Sequence, residues 1–233
     1  EFRLDQVLPI AEILRDALRQ MPDVLAVEVC GSYRRGKETV HDLDFLCATS
    51  EPARVVTAFT QLPQVESVIA SGGTKASIHT AEGLQCDLRA VSMKEFPFAL
   101  NYFTGSKEHN VAIRQRALDR GWSLNEYGFK PAEGKSPTPL PEIDEESQIY
   151  RALGLDWIPP ELRENGGEFA AAENGELPRL IELENLRGVF HNHTTASDGR
   201  ATLRQMAEAA QELGFQYLGI ADHSKSSFQA NGL

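Results

Sequence analysis

Three carboxylates and a glycine turn are the first residues in this chain whose types and spacing could do chemistry. Asp42 and Asp44 flank Leu43. Residues two apart on a strand share a face, so both acids aim the same way while Leu43 and Phe45 turn to a core. A third acid, Asp87, sits in the apolar strand pattern Leu84-Gln85-Cys86-Asp87-Leu88-Arg89. On adjacent strands, three carboxylates can hold two Mg²⁺ ions about 4 Å apart, activating an attacking hydroxyl and stabilising a leaving phosphate. Ahead of them, Gly31-Ser32-Tyr33-Arg34-Arg35-Gly36-Lys37 leaves a strand through a small-residue turn into a helix start. Backbone N–H groups in such a turn suit phosphate, and Arg34, Arg35 and Lys37 add positive charge. An Asp-x-Asp pair by itself is more often a solvated strand end. Asp87 read alone also fits a salt bridge to Arg89 or a turn acid.

A second group lies near the C-terminus. His191 and His193 follow a short apolar stretch, Asp198 comes five residues after His193, and His223 follows Asp222 at the end of another apolar stretch. Two histidines of a His-x-His pair can face one metal, with a carboxylate as a further ligand. A lone His-x-His is often a surface pair. Here it opens a strand-loop-helix-strand pattern.

Elements must position these groups. Residues 4–20 place Leu4, Val7, Leu8, Ala11, Leu14 and Leu18 on one helical face, with Pro9 near the start. Val24–Cys30, Leu43–Ala48, Val65–Ala70, Lys75–Thr80 and Leu84–Val91 read as strands, Pro52–Leu62 as a helix, and Gly72-Gly73 and Glu82-Gly83 as turns. A five-stranded α+β domain is implied. Glu95–Phe103 and Glu108–Arg120 read as helices, the second stopped by Gly121. Pro131–Pro141 reads as a loop, Glu145–Leu153 as a helix closed by Gly154, and Asn165–Pro178 has linker composition. Val189–Phe190, Leu203–Leu213 with Gly214, and Tyr217–Ala221 form a βαβ unit. The boundaries that follow are 1–91, 92–164, a linker over 165–187, and 188–233.

Composition narrows the class. The 233 residues suit about two domains, and no apolar run approaches the roughly 20 residues of a membrane span. Cys30, Cys47 and Cys86 lie far apart in strand-like stretches, which points to buried free thiols in a reducing cytoplasm. The net charge of −11 is unevenly spread. Residues 141–190 hold 12 acidic and 4 basic side chains, while residues 91–140 hold 5 and 7. Contact with a phosphate backbone is therefore expected mainly in 91–140.

Gly-Ser-x-x-Arg-Gly at this distance from Asp-x-Asp is the signature of the nucleotidyltransferase superfamily. Tyr102-Phe103-Thr104-Gly105-Ser106, following the third acid strand, narrows it. Together with GSYRRGK, DLDFL, GGTK, CDLR and Asn125-Glu126-Tyr127-Gly128, residues 1 to about 164 resemble the X-family DNA polymerases, typified by DNA polymerase beta. The resemblance implies a palm with a mixed sheet followed by a small α-rich thumb. It implies that Asp42 and Asp44 bind both Mg²⁺ or Mn²⁺ ions, and that Asp87 binds one and assists deprotonation of a primer 3′-hydroxyl. Gly31, Ser32 and Arg35 match phosphate contacts. Tyr102, Phe103 and Gly105 match the wall beside the incoming sugar, where little room is left for a 2′-hydroxyl. Asn110 and Arg114, one helical turn apart, match minor-groove contacts to the incoming nucleotide and the template. Lys75 matches a residue near the primer. The chain departs from the pattern at His41, where the compared family member has glycine before its first metal acid.

The C-terminal segment resembles the polymerase-and-histidinol-phosphatase (PHP) family. That resemblance implies a barrel holding Mn²⁺ or Zn²⁺ for phosphoester hydrolysis, often as a 3′–5′ exonuclease, with His191, His193, Asp198 and His223 among its ligands. Only two strands of such a barrel fit before Leu233, so this truncated α/β stretch is expected to lack phosphoesterase activity. The resemblance further implies a monomeric, cytoplasmic bacterial repair enzyme that fills gaps in primer-template or gapped DNA from deoxynucleoside triphosphates. Two rivals stand beside it. A nucleotidyltransferase with a non-DNA acceptor would prefer ribonucleotides. A non-catalytic DNA-binding module would bind DNA without incorporation.

Overall fold

The computed structural model describes residues 1–134 and 139–233. The chain divides into two compact units, Glu1–Leu177 and Pro178–Leu233.

The first unit opens with β1 (Phe2–Arg3) and α1 (Leu4–Arg19). Val7, Ala11, Leu14 and Leu18, three and four residues apart, are buried on one side of α1. Then follow β2 (Val24–Val29), a single helical turn α2 (Gly31–Arg34), β3 (Thr39–Val40), β4 (Asp42–Thr49), α3 (Pro52–Phe59), β5 (Val65–Ser71), β6 (Lys75–Thr80) and β7 (Gln85–Val91). The short β1–β3 pair is an addition to the strands expected from the sequence. The five expected strands form one mixed sheet in the order β2-β4-β7-β6-β5, with β4 and β7 parallel and the remaining pairs antiparallel.

The side chains of β4 alternate across this sheet. Leu43, Phe45 and Cys47 enter the core that includes Leu14, Leu18, Val55 and Phe59. Leu46 and Ala48 enter a second cluster with Phe96, Ala99 and Leu100 of α4 (Phe96–Thr104). Asp42 and Asp44 belong to this second face by alternation. All three cysteines are buried free thiols, as expected.

After α4 come α5 (Lys107–Asp119), a hairpin of β8 (Trp122–Asn125) and β9 (Gly128–Pro131), α6 (Glu146–Ala152) and α7 (Glu168–Asn174). Their shared core holds Ile113, Leu124, Phe129, Ile149, Leu153 and Ala172. Of the loop expected over Pro131–Pro141, residues 135–138 lie outside the described residues, and Gly128–Pro131 is strand. The linker reading of Asn165–Pro178 is corrected. Glu168–Asn174 is helical, its Ala172 is buried in this core, and Phe169 and Leu177 pack against it. Left-handed Gly167 and Gly175 bound the helix. Those glycines lend the stretch its linker composition.

The second unit is the expected βαβ. Strand β10 (Gly188–Asn192) pairs in parallel with β11 (Tyr217–Ile220), and α8 (Leu203–Glu212) connects them. Thr202 caps α8 by accepting from the Gln205 N–H, and Gln205 reaches back in return. Large apolar side chains of this unit lie at the surface, Phe190 73% exposed and Leu213 65% exposed among them. Among the described residues, no helix is long and apolar enough to cross a membrane.

Candidate functional site

The parallel register of β4 with β7 sets Asp44 opposite Asp87 and Asp42 opposite Gln85. Gln85, two residues before Asp87 on the same face, donates from Nε2 to Asp87 Oδ2 at 3.0 Å. Asp87 Oδ1 is buried and has no hydrogen-bond partner among the described residues. Burial first, and then the charges of Asp42 and Asp87, push Asp44 up to about 7 despite the nearby Arg35. Hard oxygen donors crowded this way, one of them an orphan, fit divalent cations of the Mg²⁺ type. The residues present therefore match the implied metals.

The glycine turn is built against these acids. Gly31 has φ +61°, and a Cβ there would run into the carboxylate of Asp44, so only glycine serves. A cleft of about 410 Å³ is lined by Gly31, Ser32, Arg35, Asp42, Asp44, Tyr102, Phe103, Gly105, Asn110 and Arg114, together with Ser106 and Lys107. The structure thus brings together all the residues singled out for nucleotide binding. Asp87 and Lys75 face an adjoining hollow of about 290 Å³, which also touches Asp44 and Phe103.

On the far wall, the Tyr102 and Phe103 rings meet edge to face, with centroids 5.1 Å apart. Arg89 lies over Phe103, 5.5 Å from its centroid. Asn110 donates from Nδ2 to the Tyr102 carbonyl at 2.7 Å, and Arg114 Nε donates to the Asn110 carbonyl at 3.0 Å. These bonds order the wall before any ligand arrives. His41, where the sequence departs from the family pattern, is exposed, with Nε2 3.8 Å from Glu1.

The basic turn is tied to the second half of the unit by contacts that sequence reasoning missed. Arg34 donates from both terminal nitrogens to Glu146 at 2.9 Å each, and from Nη1 to Thr104 Oγ1 at 2.6 Å. Glu146 also accepts from fully buried Arg163 at 2.6 Å. Burial alone would push the Glu146 carboxyl up, but Arg163 and Arg34 outweigh it and hold it down to about 2. Arg35 donates to Glu164 at 2.8 Å and to the Thr104 carbonyl at 2.6 Å. In the sequence, these acids are indistinguishable from the rest of the acidic stretch over 141–190. Gln85, by contrast, was legible from strand alternation with Asp87.

In the second unit, ligand atoms of His193, Asp198 and His223 all lie within 4.8 Å of one another. His193 Nδ1 is 3.1 Å from Asp198 Oδ1, yet it is buried with no aligned hydrogen bond among the described residues. Distance and alignment disagree here, and the disagreement is what donors converging on a cation would produce. His191 is not in this set. Its ring stands 5.2 Å from that of His193, its φ is +61°, and the β10 register shifts between Val189 and Asn192. The two-residue alternation assumed for His-x-His breaks at this irregularity. Asp222 does not join the set either. Its carboxylate accepts from the N–H and hydroxyl of Thr194 and from the Ser197 hydroxyl, each at 2.7 Å.

Paired carboxylates on parallel strands, a glycine turn against them and an ordered aromatic wall define a nucleotidyltransferase palm with a thumb. The family models described as DNA polymerase beta palm and DNA polymerase beta thumb match residues 5–80 and 99–164. The chain is 40% identical, over its whole length, to the DNA polymerase/3'-5' exonuclease PolX of Bacillus subtilis (strain 168), and covers 40% of that protein. It is 26% identical to the DNA-directed DNA/RNA polymerase mu of Homo sapiens, over 66% of this chain and 40% of that one. It is 27% identical to the DNA polymerase lambda of Rattus norvegicus, over 69% of this chain and 32% of that one. The chain belongs to the X family of DNA polymerases. It spans 40% or less of the length of these relatives.

Proposed function

We propose that residues 1–177 form the catalytic palm and thumb of a DNA-directed DNA polymerase that fills short gaps during repair. The observation that carries this reading is the facing of Asp44 and Asp87 beside the cleft that also holds Arg35, Tyr102 and Asn110. In this reading the palm covers 1–91 and the thumb 92–164, with α7 completing the thumb core.

Asp42, Asp44 and Asp87 would hold two Mg²⁺ or Mn²⁺ ions, which supply charge neutralisation for the reacting phosphate and acidify the attacking hydroxyl. Ser32 and Arg35 receive the triphosphate. Tyr102 and Phe103 form a flat wall against the sugar. Asn110 and Arg114 approach the minor-groove edge of the nascent pair, where acceptors vary little with sequence. Asp87 would assist removal of the proton of the primer 3′-hydroxyl, whose oxygen attacks the α-phosphate as pyrophosphate leaves. Lys75 contacts the primer strand.

In the second unit, His193, Asp198 and His223 would bind Mn²⁺ or Zn²⁺ as part of a PHP site, with phosphoester hydrolysis as the chemistry of the whole protein. The enzyme acts as a monomer in a bacterial cytoplasm.

Single-nucleotide extension of primed, gapped DNA with Mg²⁺ or Mn²⁺ tests the polymerase reading. Template-directed incorporation abolished by Asp87→Ala supports it. DNA binding without incorporation under either metal would count against it, and a preference for ribonucleotides would move the assignment to another acceptor class.

A further inference from the structure

We infer that Glu168, on α7, is a positioning residue for the nucleotide site and acts through His109. The inference rests on the polymerase reading above. His109 is wholly buried in the first turn of α5. Its N–H donates to the Ser106 hydroxyl at 3.2 Å, and its neighbour Asn110 holds the Tyr102 carbonyl.

Both ring nitrogens of His109 are engaged. Nε2 lies 2.9 Å from the Tyr150 hydroxyl and Nδ1 lies 2.8 Å from Glu168 Oε1. Tyr150 already accepts from Asn101 Nδ2 at 2.8 Å. Its own proton is therefore free to go to Nε2, which leaves Nδ1–H to donate to Glu168. One tautomer satisfies both ring nitrogens, the Tyr150 hydroxyl and Glu168 Oε1, which also accepts from the Asn165 N–H at 2.9 Å. Burial keeps the imidazole neutral, pulling it down to about 4. Phe169 stacks on the ring with centroids 4.6 Å apart.

Helices α6 and α7 thus meet α5 on one imidazole, and α4 joins through Tyr150. Asn101 belongs to α4, which carries Tyr102 and Phe103. Tyr150 belongs to α6, and Glu168 and Phe169 to α7. Shape alone would let another ring fill this space. The hydrogen bonds at both nitrogens fix its rotation, and with it the turn of α5 that presents Asn110. Small displacements of such groups are costly to a reaction that depends on alignment. Helix α7 lies beyond the residues matched by the thumb model. The segment just before the second unit is thereby built into the nucleotide site.

The test uses the full chain on primed, gapped DNA with Mg²⁺, measuring kcat and the KM for the correct deoxynucleotide. Glu168→Ala removes the acceptor, Glu168→Gln keeps one, and Ala172→Gly weakens α7 without touching His109. The expected result is a KM about 5- to 10-fold higher in Glu168→Ala with kcat within about twofold. Glu168→Gln should return KM to near wild type, and Ala172→Gly should lower Tm with KM unchanged. An unchanged KM in Glu168→Ala overturns the inference. So does an equal rise in Ala172→Gly, which would make the role one of stability. A wild-type chain that incorporates nothing overturns the polymerase reading itself, and the inference falls with it.

Discussion

Asp44 and Asp87 face one another across the parallel pairing of β4 with β7, and Asp44 is held up to about 7 by burial and by the charges of Asp42 and Asp87. A carboxyl whose folded value is raised contributes stability at low pH and loses it as pH rises from the ordinary carboxylate range through about 7. The metal-free protein should therefore be strained at pH 8. Asp87→Asn removes one of the repelling charges, so it should raise Tm without metal by roughly 2–4 °C, the response to about 1 kcal/mol in a chain of this size. The same variant should lose the Tm increment that Mg²⁺ gives the wild type, and at least about 100-fold of incorporation. Melting curves with EDTA and with Mg²⁺ read both effects. A metal-free Tm that falls would show that the acids are not in conflict.

Gly31 has its own signature. Its φ of +61° and its contact with Asp44 make two separate demands. Gly31→Ala should cost about 1–2 kcal/mol for the left-handed backbone and should also displace the Asp44 carboxylate. Gly83 has φ +77° with open space around it, so Gly83→Ala should pay the backbone cost alone. The expected outcome is a loss of Tm in both variants, larger in Gly31→Ala, with incorporation lost only there. Equal activity in the two variants would mean that the close approach to Asp44 is immaterial.

Glu146 joins Arg34 of the glycine turn to Arg163 in the interior. Removing one partner of a buried charged group leaves the others unpaired, at a cost of about 3–5 kcal/mol. Glu146→Gln should lower unfolding free energy by this order at pH 7. Because the carboxyl is held down to about 2, its contribution is present above the unfolded value of 4.5 and is lost as pH falls from there towards 2. Urea unfolding across that window should show the wild type and the variant converging. A gap that stays constant would place the stabilisation outside the ion pairs.

These contacts also show what the sequence could convey. The acids of β4 and β7 were legible because strand alternation is local, and Gly121, Gly154 and Gly214 stopped their helices because a positive φ is local too. Helix α7 was hidden. Seven residues between glycines carry no periodicity, and what holds them is tertiary: Ala172 in the core and Glu168 on His109. His191 was expected beside His193, and here the irregular β10 leaves it out of the group formed by His193, Asp198 and His223. The acidic tract showed in the sequence only as a charge excess, yet Glu146, Glu164, Glu168 and Glu173 pair with Arg34, Arg35, His109 and Arg116. Partners more than 50 residues away leave no trace in local pattern.

Glu164 occupies the guanidinium of Arg35, the group that the proposed function assigns to the triphosphate. Its carboxylate accepts from Arg35 Nε at 2.8 Å and lies 3.7 Å from Lys37 Nζ. The Glu164 side chain is 37% exposed, so this pair is a rim contact. Such pairs are worth up to about 1 kcal/mol. On that assignment a triphosphate would have to displace the carboxylate and overcome its repulsion. Glu164→Gln should therefore tighten Kd for a Mg²⁺-deoxynucleotide by roughly 2- to 5-fold, the affinity equivalent of that energy. The advantage should shrink as salt rises, because exposed charges are screened. Equilibrium titration at about 0.05 M and 0.5 M salt reads both effects. Weaker binding in the variant would instead assign Glu164 the task of holding Arg35 in line for the phosphate.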